Sequence, residues 1–346
     1  MGFNNRLLIP PSTTTPTSGD HFEVITYTGD GSNNRIITGT SFTPDLVWIK
    51  ARNFQTNHML QDSVRGASAY LQSDGTAAEN SNTAFNWFRS FNNNGFTIGY
   101  QTTAGVATSQ WNQNNITYVA WCWKAGGSAV SNTDGTVTSQ VSADVDGGFS
   151  IVSYTGAGSG TVGHGLNVPP ELIITKNRFN SSAVWATYSK TLGTDKLLDL
   201  NTNIAAQSIS NYWGTSAPTS TVYGLSTNSA HYNANGAQIA YCFHSVAGYS
   251  KVGSYTGTGN NMTVNVGFEP SFVMIKNTTD AASWHIFDDK RTAANPSTGG
   301  LFPNETIVEA DYNTVFEFTS TGFNNKVVST SLNKLNSVYF YYAIAI

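Results

Sequence analysis

The sequence predicts an all-β protein: three tandem, homologous β-sandwich domains of jelly-roll or lectin-like type, preceded by an extended N-terminal arm. The first observation is a long internal repeat. Tyr27-Thr28-Gly29, Tyr154-Thr155-Gly156 and Tyr255-Thr256-Gly257 are followed after 17, 16 and 15 residues by Pro44, Pro170 and Pro270. Each proline opens an apolar run that reaches a lysine six residues on: Lys50, Lys176 and Lys276. Each copy closes on an aromatic segment, Tyr118 to Trp123, Gln238 to Phe243 and Tyr339 to Ile344. About 100 residues per copy is a domain's length, enough to bury a core of its own. The second observation is period-two alternation, as in Phe22 to Tyr27, Phe149 to Tyr154 and Val315 to Thr319, which marks half-buried strands. The third is turn chemistry between them, Gly29-Asp30-Gly31, Asn94-Gly95, Asp134-Gly135 and Asp146-Gly147-Gly148, with almost no helical period.

The elements follow in order. Residues 1–21 read as a docking arm, in which Leu7, Leu8 and Ile9 form a sticky apolar end before a Thr/Ser/Pro/Gly tether. The first sandwich is expected over 22–127, and residues 128–148 as a linker that forms a hairpin or an added edge strand. The second sandwich is expected over 149–247. The joint Gly248 to Lys251 is short enough to pack the second domain against the third, at 250–346. Each proline tolerates its place because its missing N–H falls at the start of a strand. On length alone, the three domains should be separable.

Composition narrows the function. Charged residues make up 11% and hydrophobic residues 39% of 346 residues, so Asn, Thr, Ser and Gly must solvate the surface. A net charge of −4 supplies no basic field for nucleic acid. No apolar run approaches the ~20 residues that cross a bilayer, and the N-terminal apolar stretch is too short for a secretory signal.

Candidate chemistry is sparse. Asp62 and Asp288 each lie twelve residues after the repeated lysine, with Arg65 and Arg291 three further on. The same count in the middle copy falls on Tyr188 and Thr191. The pairs Asp62–Arg65 and Asp288–Arg291 are read as structural, pinning a loop over the sheet. Cys122, Cys242 and Ala343 fill one repeated strand position, which suits a small buried residue better than a disulfide or metal ligand. The six histidines lack metal-ligand spacing, and no nucleophile elbow, phosphate loop or Cys–His signature occurs. No catalytic residue, metal site or cofactor is therefore assigned. Trp111 and Trp213 lie in Asn/Gln/Ser/Thr-rich stretches, where an exposed indole could stack on a sugar beside amide donors; packing is the competing reading.

The stretches Thr133 to Arg178, TDGTVTSQVSADVDGGFSIVSYTG…TVGHGLNVPPELIITKNR, and Tyr241 to Gly259, YCFHSVAGYSKVGSYTGTG, together with HMLQDSVRG and YVAWCWKAGG of the first copy, resemble a domain family of uncharacterised function that recurs in tailed, largely marine, bacteriophages. The resemblance covers nearly everything from Phe22 onward. It implies a non-enzymatic virion protein, made in the host cytoplasm without a signal peptide and placed on the particle's exterior or tail. The expected role is a tail fibre or appendage, a homotrimer that docks on other virion proteins by its arm and attaches to host-surface glycan. A head decoration or vertex fibre is the alternative, and a polysaccharide depolymerase is less favoured. Neither nucleic-acid binding nor membrane insertion is expected.

Overall fold

Alternation along the strand after each repeated proline decides which face every side chain takes. In Leu46–Ala51, Leu46 and Trp48 point one way, Val47, Ile49 and Ala51 the other. Leu172–Asn177 and Pro270–Asn277 divide alike, Leu172 and Ile174 against Ile173, and Phe272 and Met274 against Val273 and Ile275. All these strands are buried throughout, so both faces are covered. The protein is seen in a computed structural model that describes residues 18–81, 87–99, 110–226, 236–291, 297–326 and 328–345.

The architecture is all-β, and the described strands form several open antiparallel sheets. Three large sheets share one pairing pattern. The closing aromatic strand, last in each repeat, sits between the opening strand and the lysine strand. Thus Thr117–Trp123 lies between Phe22–Thr28 and Leu46–Ala51. Gly236–Phe243 lies between Phe149–Gly156 and Leu172–Asn177. Val338–Ala345 lies between Ser250–Thr256 and Pro270–Asn277. Beyond the lysine strand come Met59–Asp62, Ala186–Ser189 and His285–Asp288. Residues of the 128–148 stretch form Val130–Asn132 and Ser139–Asp144, two strands added at the edge of the middle sheet beside Phe149–Gly156.

One face of each large sheet packs on a smaller sheet. Arg35–Thr38, Gly95–Ile98 and Phe88–Asn92 cover the first. Gly160–Gly163 with Val222–Leu225 cover the second. The third is covered by Met262–Asn265, Gly322–Asn325 and Ala310–Thr319. The arrangement is sandwich-like. The repeated Tyr-Thr-Gly closes these layers at one end: Tyr27 donates its hydroxyl proton to the Trp111 carbonyl (2.8 Å) and Tyr255 to the Leu332 carbonyl (2.7 Å). Glycine is required beside them, because a Cβ on Gly29 would lie 2.0 Å from the Gln113 oxygen and one on Gly257 2.1 Å from that of Lys334.

The other faces of the three large sheets meet in a single apolar cluster. It joins Trp48, Trp121 and Trp123 to Ile174, Tyr241 and Phe243, and to Phe272, Met274 and Tyr342. At its centre a cavity of about 20 Å³, walled by Leu46, Trp48, Tyr241, Phe243, Phe272 and Tyr342 among others, has no polar lining; such a space stays dry. This shared core corrects the expectation of separable units. Residues 22–127 alone would expose Trp48, Leu60, Trp121 and Trp123, each of which contributes roughly 1.5–3 kcal/mol when buried.

Candidate functional site: lysine clasps where the sheets meet

The face that carries Leu46 and Trp48 also carries Lys50 two residues on, and Lys176 and Lys276 follow suit. Each lysine therefore ends up where one sheet meets the next. All three are 0% exposed. Lys50 donates from Nζ to the carbonyls of Ala51 (3.0 Å) and Thr306 (3.2 Å). Lys176 donates to Ala183 (2.8 Å), Asn180 (3.3 Å) and Thr76 (2.9 Å). Lys276 donates to Ala282 (2.6 Å) and Asn203 (3.1 Å). Each thus binds its own repeat and the preceding one, and the first repeat's lysine binds the third, so the contacts close a ring. Burial pulls all three amines from 10.5 down to about 8; Asp74 and Glu309 near Lys50, and Asp199 near Lys276, oppose this.

A second ring of contacts repeats the direction. Trp185 donates its indole N–H to the Gln72 carbonyl (2.8 Å), and Trp284 donates to that of Asp199 (2.9 Å). The same position in the first repeat is His58, whose imidazole lies by the Phe302 backbone and accepts the indole N–H of Trp48 at Nδ1 (2.9 Å). Burial, then Lys50, hold this histidine well below its ordinary pKa. Backbone bonds run alongside: Glu79 N to Arg178 O (2.7 Å), Ala206 N to Thr278 O (3.0 Å) and Glu309 N to Arg52 O (2.7 Å).

Charge reinforces two of the three junctions. Asp62 pairs with Arg65, which reaches Glu79 (3.2 Å), and Glu79 takes Arg178 in a two-pronged bond, both 2.7 Å. Asp288 pairs with Arg291 (2.6 Å), which reaches Glu309 (3.0 Å), and Glu309 accepts Arg52 (2.6 Å). The aspartates also bridge sheets: Asp62 accepts the Tyr241 hydroxyl (2.8 Å) and Asp288 the Trp121 indole N–H (2.9 Å). The pairs Asp62–Arg65 and Asp288–Arg291 therefore hold neighbouring sheets as well as their own loops. The junction between the second and third repeats is neutral, with Leu192, Ala206 and Thr278 in the charged positions. Register shows why counting misplaced the middle copy. Leu46 pairs with Asp62 and Phe272 with Asp288, but Leu172 pairs with Ser189. A hairpin one residue longer makes Ser189 and Leu192, not Tyr188 and Thr191, the counterparts.

Of the two readings open for Trp111 and Trp213, the exposed sugar-stacking one is corrected and packing holds, since both indoles are buried. Trp213 is 2% exposed; it donates to the Lys196 carbonyl (3.0 Å) and meets Tyr188 edge-on at 5.7 Å. Trp111 is 1% exposed and stacks on Trp87 at 5.0 Å. Polar sequence neighbours hid the fact that each ring points inward. Leu7, Leu8 and Ile9 lie outside the described residues. Cys122 and Cys242 are buried free thiols, pushed up in pKa by burial. Among the described residues no group of three or more His, Cys, Asp or Glu could hold a metal ion, and no helix is long and apolar enough to cross a membrane. The clasps were missed from sequence, although the lysine's fixed spacing from proline was their signal.

This is a class of all-β protein in which buried lysines and indoles, most of them aimed at backbone carbonyls of a neighbouring repeat, lock large sheets around one core. Residues 17–346 match the family described as a domain of unknown function, DUF7483, and the chain belongs to that family. No curated protein matches it.

Proposed function

We propose that the protein is a non-enzymatic structural component of a tailed-bacteriophage virion, a tail fibre or appendage built from three homologous β-sandwiches closed into a ring. In this reading residues 1–21 dock on other virion proteins through Leu7, Leu8 and Ile9, and the body is turned toward host-surface glycan. The observation that carries it is the polarity of the body. Phe22 pairs with Trp123, Phe149 with Phe243 and Ser250 with Ile344, so the arm's exit, both joints and the last strand share one end. The Tyr-Thr-Gly and lysine loops occupy the other. A body tethered at one end and offering polar loops at the other suits a particle's outer surface. The lysine amines are engaged by backbone carbonyls, which argues for a locking role over nucleophilic chemistry.

Head decoration is the second reading, favoured by the cyclic contacts. One chain already carries an approximately threefold body and could cover a threefold position without partners, whereas the appendage reading expects a homotrimer with bundled arms. Deleting residues 2–20 should leave a folded body that no longer enters particles. Normal incorporation of that variant would refute docking by the arm. The protein's position in a reconstruction of the particle separates appendage from decoration.

A further inference from the structure

The three repeats serve as controls for one another, and one place in the first departs from the other two. Strand Met59–Asp62 turns Leu60 and Asp62 toward the shared core and Met59 and Gln61 toward the outer one. The register pairs Val47 with Gln61, Ile173 with Tyr188 and Val273 with Phe287. The other repeats therefore fill this position with a ring: Tyr188 is edge-on to Trp213, and Phe287 stacks on Phe316 at 4.0 Å. Gln61 is 0% exposed, and neither Oε1 nor Nε2 has a hydrogen-bond partner. Leaving such groups unmade costs about 1–3 kcal/mol each, so a purely structural position would favour the ring.

The surroundings have changed with it. Gln61 lines a pocket of about 10 Å³ with Ala67, Ser68, Tyr70, Trp87 and Trp111. The two indoles stack at 5.0 Å and Tyr70 meets Trp111 edge-on at 5.3 Å. In the third repeat the matching backbone bonds fall on Val315, whose carbonyl accepts from Lys326 as that of Trp87 accepts from Gly99, and on Leu332, which accepts from Tyr255 as Trp111 does from Tyr27. An amide and two indoles thus replace Phe287, Val315 and Leu332. Ala67, Ser68 and Tyr70 are half-buried and form the side nearest solvent.

We propose that this pocket is a hydroxyl-recognising subsite for a saccharide. The space admits one water-sized group, and a sugar hydroxyl is that size. A hydroxyl donates one hydrogen bond and accepts another, matching Oε1 and Nε2 together. The sugar's C–H face would rest on the aromatic wall at Tyr70. A bare methyl group fits the volume but leaves the amide unsatisfied. The inference rests on the attachment role proposed above and places one contact on the flank of the first repeat, level with Val47, not among the lysine loops; it is tested on purified protein, so its failure is distinct from a failure to enter particles.

The full chain should be titrated with D-glucose, D-galactose and N-acetyl-D-glucosamine, followed by tryptophan fluorescence and saturation-transfer NMR. Saturable binding of at least one sugar is expected, with transfer to ring protons. Gln61→Leu should weaken it at least tenfold while its thermal midpoint stays at or above that of the parent. No saturable signal from any of the three sugars would overturn the proposal, as would equal affinity in the variant. A Gln61→Leu protein with a lowered midpoint, or one that does not fold, would show that the amide is satisfied within the protein, and would also overturn it.

Discussion

Raising the pH from 7 to 9 should stabilise this protein, against the usual expectation for a chain rich in buried tyrosine. The cause is the trio Lys50, Lys176 and Lys276, whose amines titrate near 8 in the folded protein and near 10.5 when unfolded. A base with a depressed folded pKa binds fewer protons folded than unfolded between those two values. The unfolding free energy therefore rises with pH across that window. For one lysine the gain from pH 7 to 9 is about 1.3 kcal/mol, and for three about 4 kcal/mol. Cys122 and Cys242 act in the opposite sense, since burial raises their folded pKa above the ordinary value of 9.0. At pH 9 they remove about 0.4 kcal/mol each, leaving a net rise of about 3 kcal/mol. Above pH 10 the buried tyrosines, Tyr27, Tyr241 and Tyr255 among them, also have raised values, and stability should turn down. Urea unfolding followed by tryptophan fluorescence at pH 7, 8 and 9 measures the slope. Lys176→Met should flatten it by one lysine's share, about 1.3 kcal/mol, whatever the variant's stability at pH 7. A flat or falling midpoint between pH 7 and 9, or an unchanged slope in Lys176→Met, would refute the clasp as described.

Glu79→Ala should cost about 1–3 kcal/mol, because it removes the carboxylate that accepts Arg178 at two points and Arg65 at a third, while Arg65 keeps its pair with Asp62. Adding Asp62→Ser, Arg65→Leu and Arg178→Thr, which copies the neutral junction at Ser189, Leu192, Ala206 and Thr278, should recover most of that loss in the same urea assay; no recovery would mean the junctions are not interchangeable. Trp213→Ala should lower stability by roughly 3–5 kcal/mol, as expected for a filled core position. A loss below 1 kcal/mol would contradict the packing assigned to that ring.

Much of the site was present in the sequence without being legible there. Lys50, Lys176 and Lys276 stood at a constant distance from proline, yet a lysine beside an apolar strand reads as its solvated end. Its burial depends on carbonyls at Thr306, Thr76 and Asn203, each in another repeat. Gln61 was half visible: the count from lysine aligns it with Phe287, but only strand register aligns it with Tyr188, since the middle hairpin is one residue longer. Trp111 and Trp213 show the converse: their polar neighbours left exposure and packing both open, and only the structure shows that each ring is buried.

By itself the sequence determined the all-β class, the repeat and the turns, because alternation, Gly and Asn act over a few residues and need no distant partner. The recurrence of Gly29 and Gly257 was visible there too, but its reason was not, since the atoms a Cβ would meet are the distant carbonyl oxygens of Gln113 and Lys334. Only the tertiary structure decided that the last strand of each repeat sits in the middle of its sheet, and that three sheets share one core. Each sheet has two apolar faces, and a linear pattern marks both as buried without naming what covers them. The outer face is covered by the repeat's own strands, the inner by the other repeats, and that choice rests on contacts between residues as far apart as Lys50 and Thr306.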